Sequence, residues 1–149
     1  MRVDASLPVH APPDVIWSLV SDPRRVCQLM AGVTRWDVEG EQDRGLGARY
    51  RVLMQVGSAP VGGLVEIVEW DEGRDIAWTS VTGVDQRGRW RLRRRDDGAT
   101  DVTLRIAYGA PGGILGLLAD RFSAPMVRAN LRRTLERVGA EAESSTKPA

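Results

Sequence analysis

Few side chains in this 149-residue chain have the chemistry of a metal ligand or a nucleophile–base pair. His10 is the single histidine and Cys27 the single cysteine. Zinc and iron sites need three or four ligands, and no carboxylates cluster at a suitable spacing, so we expect no metal. A Ser–His–acid or Cys–His arrangement would have to use His10, at the end of the first predicted strand, and no serine lies in a nucleophile-elbow sequence. The sequence therefore favours neither kind of site.

Two glycine pairs could suggest a phosphate-binding loop. Gly62-Gly63 and Gly112-Gly113 lack the spacing of a nucleotide or dinucleotide loop, so no nucleotide is implied. We interpret the first pair as an irregularity within a strand and the second as the entry to a helix. No cofactor is expected.

The residue types leave general acid–base catalysis open as a class of activity. Glu69 shares its strand alternation with Val65 and Ile67, and a carboxylate buried on that face would have a raised pKa. The alternative, which we favour, places Glu69 in water at the end of its strand. A catalytic role also requires hydrogen-bond reach to a substrate proton, which a sequence does not show.

The charge balance argues against highly charged partners. The chain has 21 basic and 20 acidic residues and a net charge of +1, so we expect no nucleic acid and no acidic membrane surface as a partner. A single cysteine rules out an internal disulfide. There is no charged-then-apolar leader and no apolar run of about 18 residues. We expect a cytoplasmic protein without stable membrane insertion.

The first part of the chain predicts a strand followed by two short helices. Alternating apolar residues from Arg2 to His10 indicate a strand with one buried face. Pro12 and Pro13 suit the first turn of a helix, which needs no intrahelical N–H donor. This helix ends before Pro23, where Asp22 is placed to cap a second one. Because two such short helices are marginal alone, we expect them to pack beneath something larger.

The middle of the chain predicts an antiparallel meander of six strands. Apolar and polar residues alternate within each segment, and Asp/Gly turns join two of the hairpins. The segments are Val33 to Gly40, Gly47 to Val56, Val61 to Trp70, Asp75 to Val81, Arg87 to Arg95 and Thr100 to Gly109. Four arginines in the fifth segment alternate with Trp90 and Leu92 and so share the face away from the core. They are Arg89, Arg91, Arg93 and Arg95, and we expect a solvated face, with an acidic partner as the alternative.

The last element is a long helix. Helical periodicity extends from about Ile114 to Ala142, with a kink expected near Ala124 because Pro125 removes one hydrogen bond. Four arginines are expected on its wet side: Arg128, Arg132, Arg133 and Arg137. Residues 1–142 are predicted to form a single domain, and residues 143–149 a disordered tail.

This order of elements, with short motifs along it, resembles a known superfamily. The motifs are Pro13 to Trp17, Asp22-Pro23, Gly47-Ala48-Arg49-Tyr50, Glu69-Trp70-Asp71, Ile76-Ala77-Trp78, Trp90-Arg91-Leu92, Thr100 and Val102. The chain thereby resembles the START/Bet v 1-like (SRPBCC) superfamily, which includes lipid-transfer domains and bacterial polyketide cyclase/dehydrase-like proteins. The resemblance implies an α+β helix-grip fold, in which a curved seven-stranded antiparallel sheet wraps around a long C-terminal helix. Two short helices lie between strands 1 and 2.

The resemblance further implies an apolar cavity between sheet and helix that binds a hydrophobic small molecule or lipid. Strand alternation and helical periodicity then supply ten candidate lining residues. They are Trp36, Tyr50, Val52, Met54, Trp78, Trp90 and Tyr108 from the sheet, and Leu118, Phe122 and Met126 from the helix. Each is also explained by ordinary core packing.

Three functions stay open at this point. The first is a carrier of an apolar ligand. The second is a metal-independent polyketide cyclase or dehydratase, as the resemblance implies, with Glu69 and Tyr108 as weak catalytic candidates; other polar groups are Arg49, Arg51, Glu66 and Tyr50. The third is a protein-interaction module that uses the arginine face or a sheet edge.

Overall fold

Seven strands form one open antiparallel sheet in the computed structural model, which describes residues 2–56, 59–109 and 124–146. The strands are β1 (Arg2–Val9), β2 (Val33–Glu39), β3 (Arg49–Val56), β4 (Ala59–Asp71), β5 (Asp75–Ser80), β6 (Gln86–Arg94) and β7 (Thr100–Tyr108). The helices are α1 (Pro13–Val20), α2 (Pro23–Leu29) and α3 (Ala124–Thr146). The strand order is β1-β7-β6-β5-β4-β3-β2, so the meander from β2 to β7 closes against β1. The predicted helix-grip architecture is confirmed.

The short helices form as their flanking residues predict. Pro13 occupies the first turn of α1, and the Asp22 side chain accepts a hydrogen bond of 3.0 Å from the backbone N–H of Arg24 at the start of α2. Both helices bury apolar side chains against the sheet and α3: Ile16, Leu19, Val20, Val26 and Leu29. Their stability therefore comes from this packing more than from their length.

Helix α3 buries one stripe against the sheet. Its buried apolar residues are Leu131, Leu135, Val138 and Ala142, and the four predicted wet-side arginines are exposed. The described part begins at Ala124, so the predicted turns before it and the kink lie outside the described residues. Within the described residues, no helix is both long and apolar enough to cross a membrane.

The C-terminal end of α3 differs from the predicted boundary. The helix continues to Thr146, so the first four residues of the predicted tail are helical. The hydroxyls of Ser145 and Thr146 donate to the carbonyls of Glu141 and Glu143, and the His10 N–H donates to Glu143 Oε1 at 3.2 Å. These bonds support a last turn that composition alone does not predict. Residues 147–149 lie outside the described part.

A β-bulge in β4 changes which residues face the core. Ile67 pairs with Trp78 but Glu69 pairs with Ala77, so Val68 is an extra residue in β4. Side chains alternate with period two, and one inserted residue therefore moves every later side chain to the opposite face. Glu69 consequently lies on the outer face, where it forms an ion pair with Arg89. A buried Glu69 among Val65 and Ile67 is thus wrong, and the favoured alternative agrees with the structure, because the Glu69 side chain is 44% exposed near the end of β4.

The outer face holds a buried carboxylate where the sequence predicts only solvated arginines. The side chain of Asp75 is 8% exposed, and three arginines surround it. Arg93 Nη2 lies 3.0 Å from Oδ2, while Arg91 Nε and Arg89 Nη1 lie 3.5 Å and 3.6 Å from Oδ1. The sequence prediction missed this because β5 brings Asp75 beside β6 only through strand pairing. The arginine face is therefore organised around an internal negative charge.

Asp75 links the stability of the sheet to pH. Its burial raises the pKa, but the hydrogen bond from Arg93 and the charges of Arg93, Arg89 and Arg91 outweigh that, so the pKa lies below the usual 3.8. A carboxyl whose pKa is lower in the folded state stabilises the fold above its unfolded pKa. That contribution is lost as the pH falls through the folded value.

We expect Asp75→Asn to lower the free energy of unfolding at pH 7 by about 1–2 kcal/mol, because three arginines lose their common counter-charge. Urea unfolding of both proteins at pH 7 and at pH 3 measures this. The difference should shrink at pH 3, because that pH lies below the usual pKa of 3.8 and the unfolded chain already binds the proton that the folded state resists. Asp101→Asn, at a pair of half-exposed groups, is the control and should change little. Equal midpoints for Asp75→Asn and wild type at pH 7 would contradict this assignment.

Candidate functional site

An apolar cavity of about 70 Å³ lies between the sheet and α3. Five of the ten predicted residues line it: Trp36, Val52, Met54, Trp78 and Tyr108. Further apolar lining comes from Met30, Val33, Ile106, Val127 and Leu131. Val33 and Trp36 both face inward although they are three residues apart, because the register of β2 shifts between Val33 and Arg35. Without that shift, strict alternation along β2 would place only one of these two side chains on the inner face.

Three polar side chains on the cavity were missed by the sequence interpretation. Gln86 begins β6, and Asn130 and Thr134 lie one helical turn apart on α3. The Thr134 hydroxyl accepts a hydrogen bond of 2.9 Å from the backbone N–H of Ala31 and donates one of 2.8 Å to the carbonyl of Asn130. The i, i+4 spacing of Asn130 and Thr134 was a signal that could have found them. With Tyr108, they supply the few polar groups of an otherwise apolar site.

A second, much smaller cavity of about 10 Å³ lies between the sheet and the helix pair. Two predicted residues, Tyr50 and Trp90, line this space and do not line the larger one. Its other walls come from residues such as Val26, Ile67 and Ile76. The two linings share only Trp36 and Trp78 among the described residues. We call the first space the α3 cavity and the second the helix-pair cavity.

The remaining candidates lie elsewhere. Met126 is 48% exposed and does not line either cavity, because it is out of phase with Val127, Leu131 and Thr134 on the inner side of α3. Leu118 and Phe122 lie outside the described residues. The two arginine candidates of β3 lie on the outer face, where Arg49 and Arg51 pair with Glu66 and Glu39 at 2.9 Å and 3.5 Å.

Trp78 is positioned by a glycine on the neighbouring strand. Trp78 pairs with Gly88 in the β5–β6 ladder, and its indole lies across the backbone of Gly88. A Cβ atom at position 88 would overlap the Cζ2 and Cε2 atoms of the ring. Any other residue would therefore have to displace Trp78. The position of Trp78 in the wall of the α3 cavity therefore requires glycine at position 88.

Trp36 packs between two aromatic rings. Its centroid lies 5.6 Å from that of Trp78, in an edge-to-face arrangement of 89°, and 5.5 Å from that of Tyr50. Such a pair contributes about 0.5–1.5 kcal/mol beyond its buried area. The indole N–H of Trp36 is buried without a hydrogen-bond partner among the described residues, at a cost of about 1–3 kcal/mol. The unpaired N–H therefore offsets what the aromatic contact adds beyond burial, and the burial of the rings themselves stabilises the pair.

Both tyrosines of the site are held in the neutral form. Burial raises the pKa of Tyr50 to about 12, and the charge of Asp43 adds to this, while its hydroxyl donates a hydrogen bond of 2.6 Å to the Asp43 carbonyl. Burial also raises the pKa of Tyr108. At neutral pH each is a phenol that can donate a hydrogen bond, and neither is a phenolate base.

The family of the chain follows from comparison with known sequences. Residues 1–143 match the model of a family described as polyketide cyclase/dehydrase and lipid transport. The chain belongs to this family, as its motifs predicted. No curated protein matches it.

Solved structures share the fold. A protein from Thermus thermophilus is 21% identical, with a TM-score of 0.81, and the match covers 99% of this chain and 100% of that one. The Zhui aromatase/cyclase of a Streptomyces species is 22% identical, with a TM-score of 0.74 and coverage of 99% and 96%. Major latex-like protein 151 of Panax ginseng is 14% identical, with a TM-score of 0.72 and coverage of 95% and 97%. These likenesses show the fold.

We expect Gly88→Ala to destabilise the protein by about 1–3 kcal/mol, because the new methyl forces Trp78 from its position. Urea unfolding measures the loss, and near-ultraviolet circular dichroism reports the changed tryptophan environment. Gly139→Ala is the matched control: its methyl would meet Val9 Cγ2 at 3.5 Å, an ordinary contact, inside a helix where alanine is favoured. A Gly88→Ala protein as stable as Gly139→Ala, with an unchanged spectrum, would contradict the packing described.

Thr134→Val should cost about 1–2 kcal/mol of unfolding free energy, since it leaves the buried N–H of Ala31 without an acceptor. Thr134→Ser retains the hydroxyl and should retain that bond. Hydrogen exchange at the Ala31 amide distinguishes the two variants, with faster exchange expected only in Thr134→Val. Equal protection of this amide in both would show that the bond contributes nothing.

Proposed function

We propose that this protein binds an apolar small molecule or lipid in the α3 cavity. The observation that carries the proposal is the cavity itself, an apolar space of about 70 Å³ beneath α3. Protein interiors are normally packed with few voids larger than a water molecule. Apolar cavities of about 150 Å³ stay dry and take up benzene-sized molecules. The α3 cavity has about half that volume, so it accepts a small apolar group as it stands and a larger ligand has to widen it. The family description, which includes lipid transport, supports the same class of ligand.

The polar groups of the cavity indicate which polar atoms the ligand carries in addition to its apolar body. The side-chain amides of Gln86 and Asn130 can both donate and accept hydrogen bonds. A ligand with one or two oxygen atoms on an apolar body satisfies such a lining, which is the usual composition of small-molecule sites.

A cyclase or dehydratase activity is the second candidate, favoured by the family description. No carboxylate is among the described residues that line the α3 cavity, and Glu69 lies on the outer face. Tyr108 is then the titratable side chain of the described lining, and its raised pKa suits it to hydrogen-bond donation. A carrier of the ligand therefore fits this lining better than an acid–base catalyst does. The acidic protein partner predicted for the arginine face of β6 stays a prediction.

Filling the cavity tests ligand binding. Val127→Phe places a larger side chain at a half-buried lining position of α3, and we expect at least a tenfold weaker affinity for 8-anilinonaphthalene-1-sulfonate. Ala129→Phe, two residues along on the exposed side of the helix, should bind as wild type does. Native mass spectrometry of the purified protein should also show a defined extra mass that denaturation releases. Equal affinities in all three proteins, with no extra mass, would overturn the proposal.

A further inference from the structure

We propose that Trp36 and Trp78 form an internal wall that limits the length of the ligand. The inference rests on the proposed function and specifies its ligand as an unbranched apolar chain with one polar end. In this arrangement the polar end is held in the α3 cavity and the tail ends at the two indoles. The two indoles exclude the ligand from the helix-pair cavity, which lies beyond them.

The first support is the position of the two tryptophans. Among the described residues, they alone line both cavities, so the spaces lie on opposite sides of one pair of side chains. Trp36 is 7% and Trp78 2% exposed, and their edge-to-face contact at 5.6 Å leaves no opening for a chain between them. A methylene chain that crosses from one cavity to the other must displace one of these rings.

The second support is the different character of the two linings. Gln86 and Asn130 place side-chain amides on the α3 cavity. In the helix-pair cavity the hydroxyl of Tyr50 is already engaged with the Asp43 carbonyl, and most of the other walls are apolar. The helix-pair lining also includes the hydroxyl of Ser21, but both side-chain amides lie on the α3 side, so a polar end group that donates and accepts hydrogen bonds is better matched there. An apolar tail is what approaches the wall.

The third support is how each ring is held. Trp36 packs against Tyr50 as well as Trp78, so it is fixed from two sides. Trp78 lies across Gly88, where the absence of a side chain leaves the room that its ring occupies. Trp78 is consequently the half of the wall that a substitution on the neighbouring strand can displace. Trp78→Leu removes the indole, and Gly88→Ala displaces it while the tryptophan is retained.

A matched control is available in the second aromatic pair. Trp17 is 6% exposed and packs edge-to-face on Trp70 at 5.2 Å, but it does not line either cavity. Trp17→Leu therefore makes the same chemical change as Trp78→Leu at a similar burial, away from the wall.

The experiment measures the affinity of straight-chain saturated fatty acids of two to twelve carbons, by displacement of 8-anilinonaphthalene-1-sulfonate, for the wild type and three variants. Each buried methylene strengthens binding roughly fourfold, so wild-type affinity should rise with chain length and then stop rising. In Trp78→Leu the rise should continue for at least two further methylenes, a gain of roughly fifteenfold for those chains. Gly88→Ala should also move the cutoff, and Trp17→Leu should not.

The outcomes separate the wall from the binding function. An unchanged cutoff in both Trp78→Leu and Gly88→Ala overturns the wall while the proposed function stands. An equal change in Trp17→Leu overturns it also, because the effect would then come from general loosening of the core. If circular dichroism shows that Trp78→Leu is unfolded, Gly88→Ala decides the result. Failure of all four folded proteins to bind the dye or any acid overturns the proposed function, and the wall with it.

Discussion

The structure depends on one geometrical constraint, which is that a single helix must cover the inner face of a seven-stranded sheet. Strands about 4.8 Å apart make such a sheet about 29 Å wide, whereas a helix with its side chains is about 10–12 Å across. Helix α3 packs against β1 and β7 through residues such as Leu135 and Val138. The helix pair then covers another part of the inner face. A space is left where the sheet curves away from α3.

Aromatic side chains occupy the region where these covering elements meet. Trp36 comes from β2 and Trp78 from β5, and the two rings touch edge to face. Large rings fill such a gap at little cost in conformational entropy, because they have only two side-chain torsions. The buried N–H of Trp36 has no hydrogen-bond partner in the described part of the chain, so this packing leaves one polar group unpaired there. The same two residues that complete the core therefore divide it into two cavities.

The outer face of the sheet is organised by ion pairs and not by apolar packing. Arg89, Arg91 and Arg93 would repel one another on β6 if they were left alone, and the neighbouring strand provides Asp75 among them. Each arginine keeps part of its guanidinium in water, while the aspartate is almost fully buried. This arrangement stabilises the register of β5 against β6. It also means that the arginine-rich strand is mainly part of the structure's own charge network.

The sequence by itself determined the order of the elements, the capping of the short helices and the buried face of most strands. These features depend on neighbours a few residues apart, as in the Asp22 cap or the alternation around Trp90, and local spacing records them. Only the tertiary structure decided that the bulge at Val68 turns Glu69 outward, and that Met126 faces away from the cavity. It also decided that Tyr50 and Trp90 lie beyond the wall while Gln86 and Asn130 line the α3 cavity. The reason is that an inserted strand residue, the curvature of a sheet and the phase of a helix depend on partners far along the chain, which periodicity does not encode.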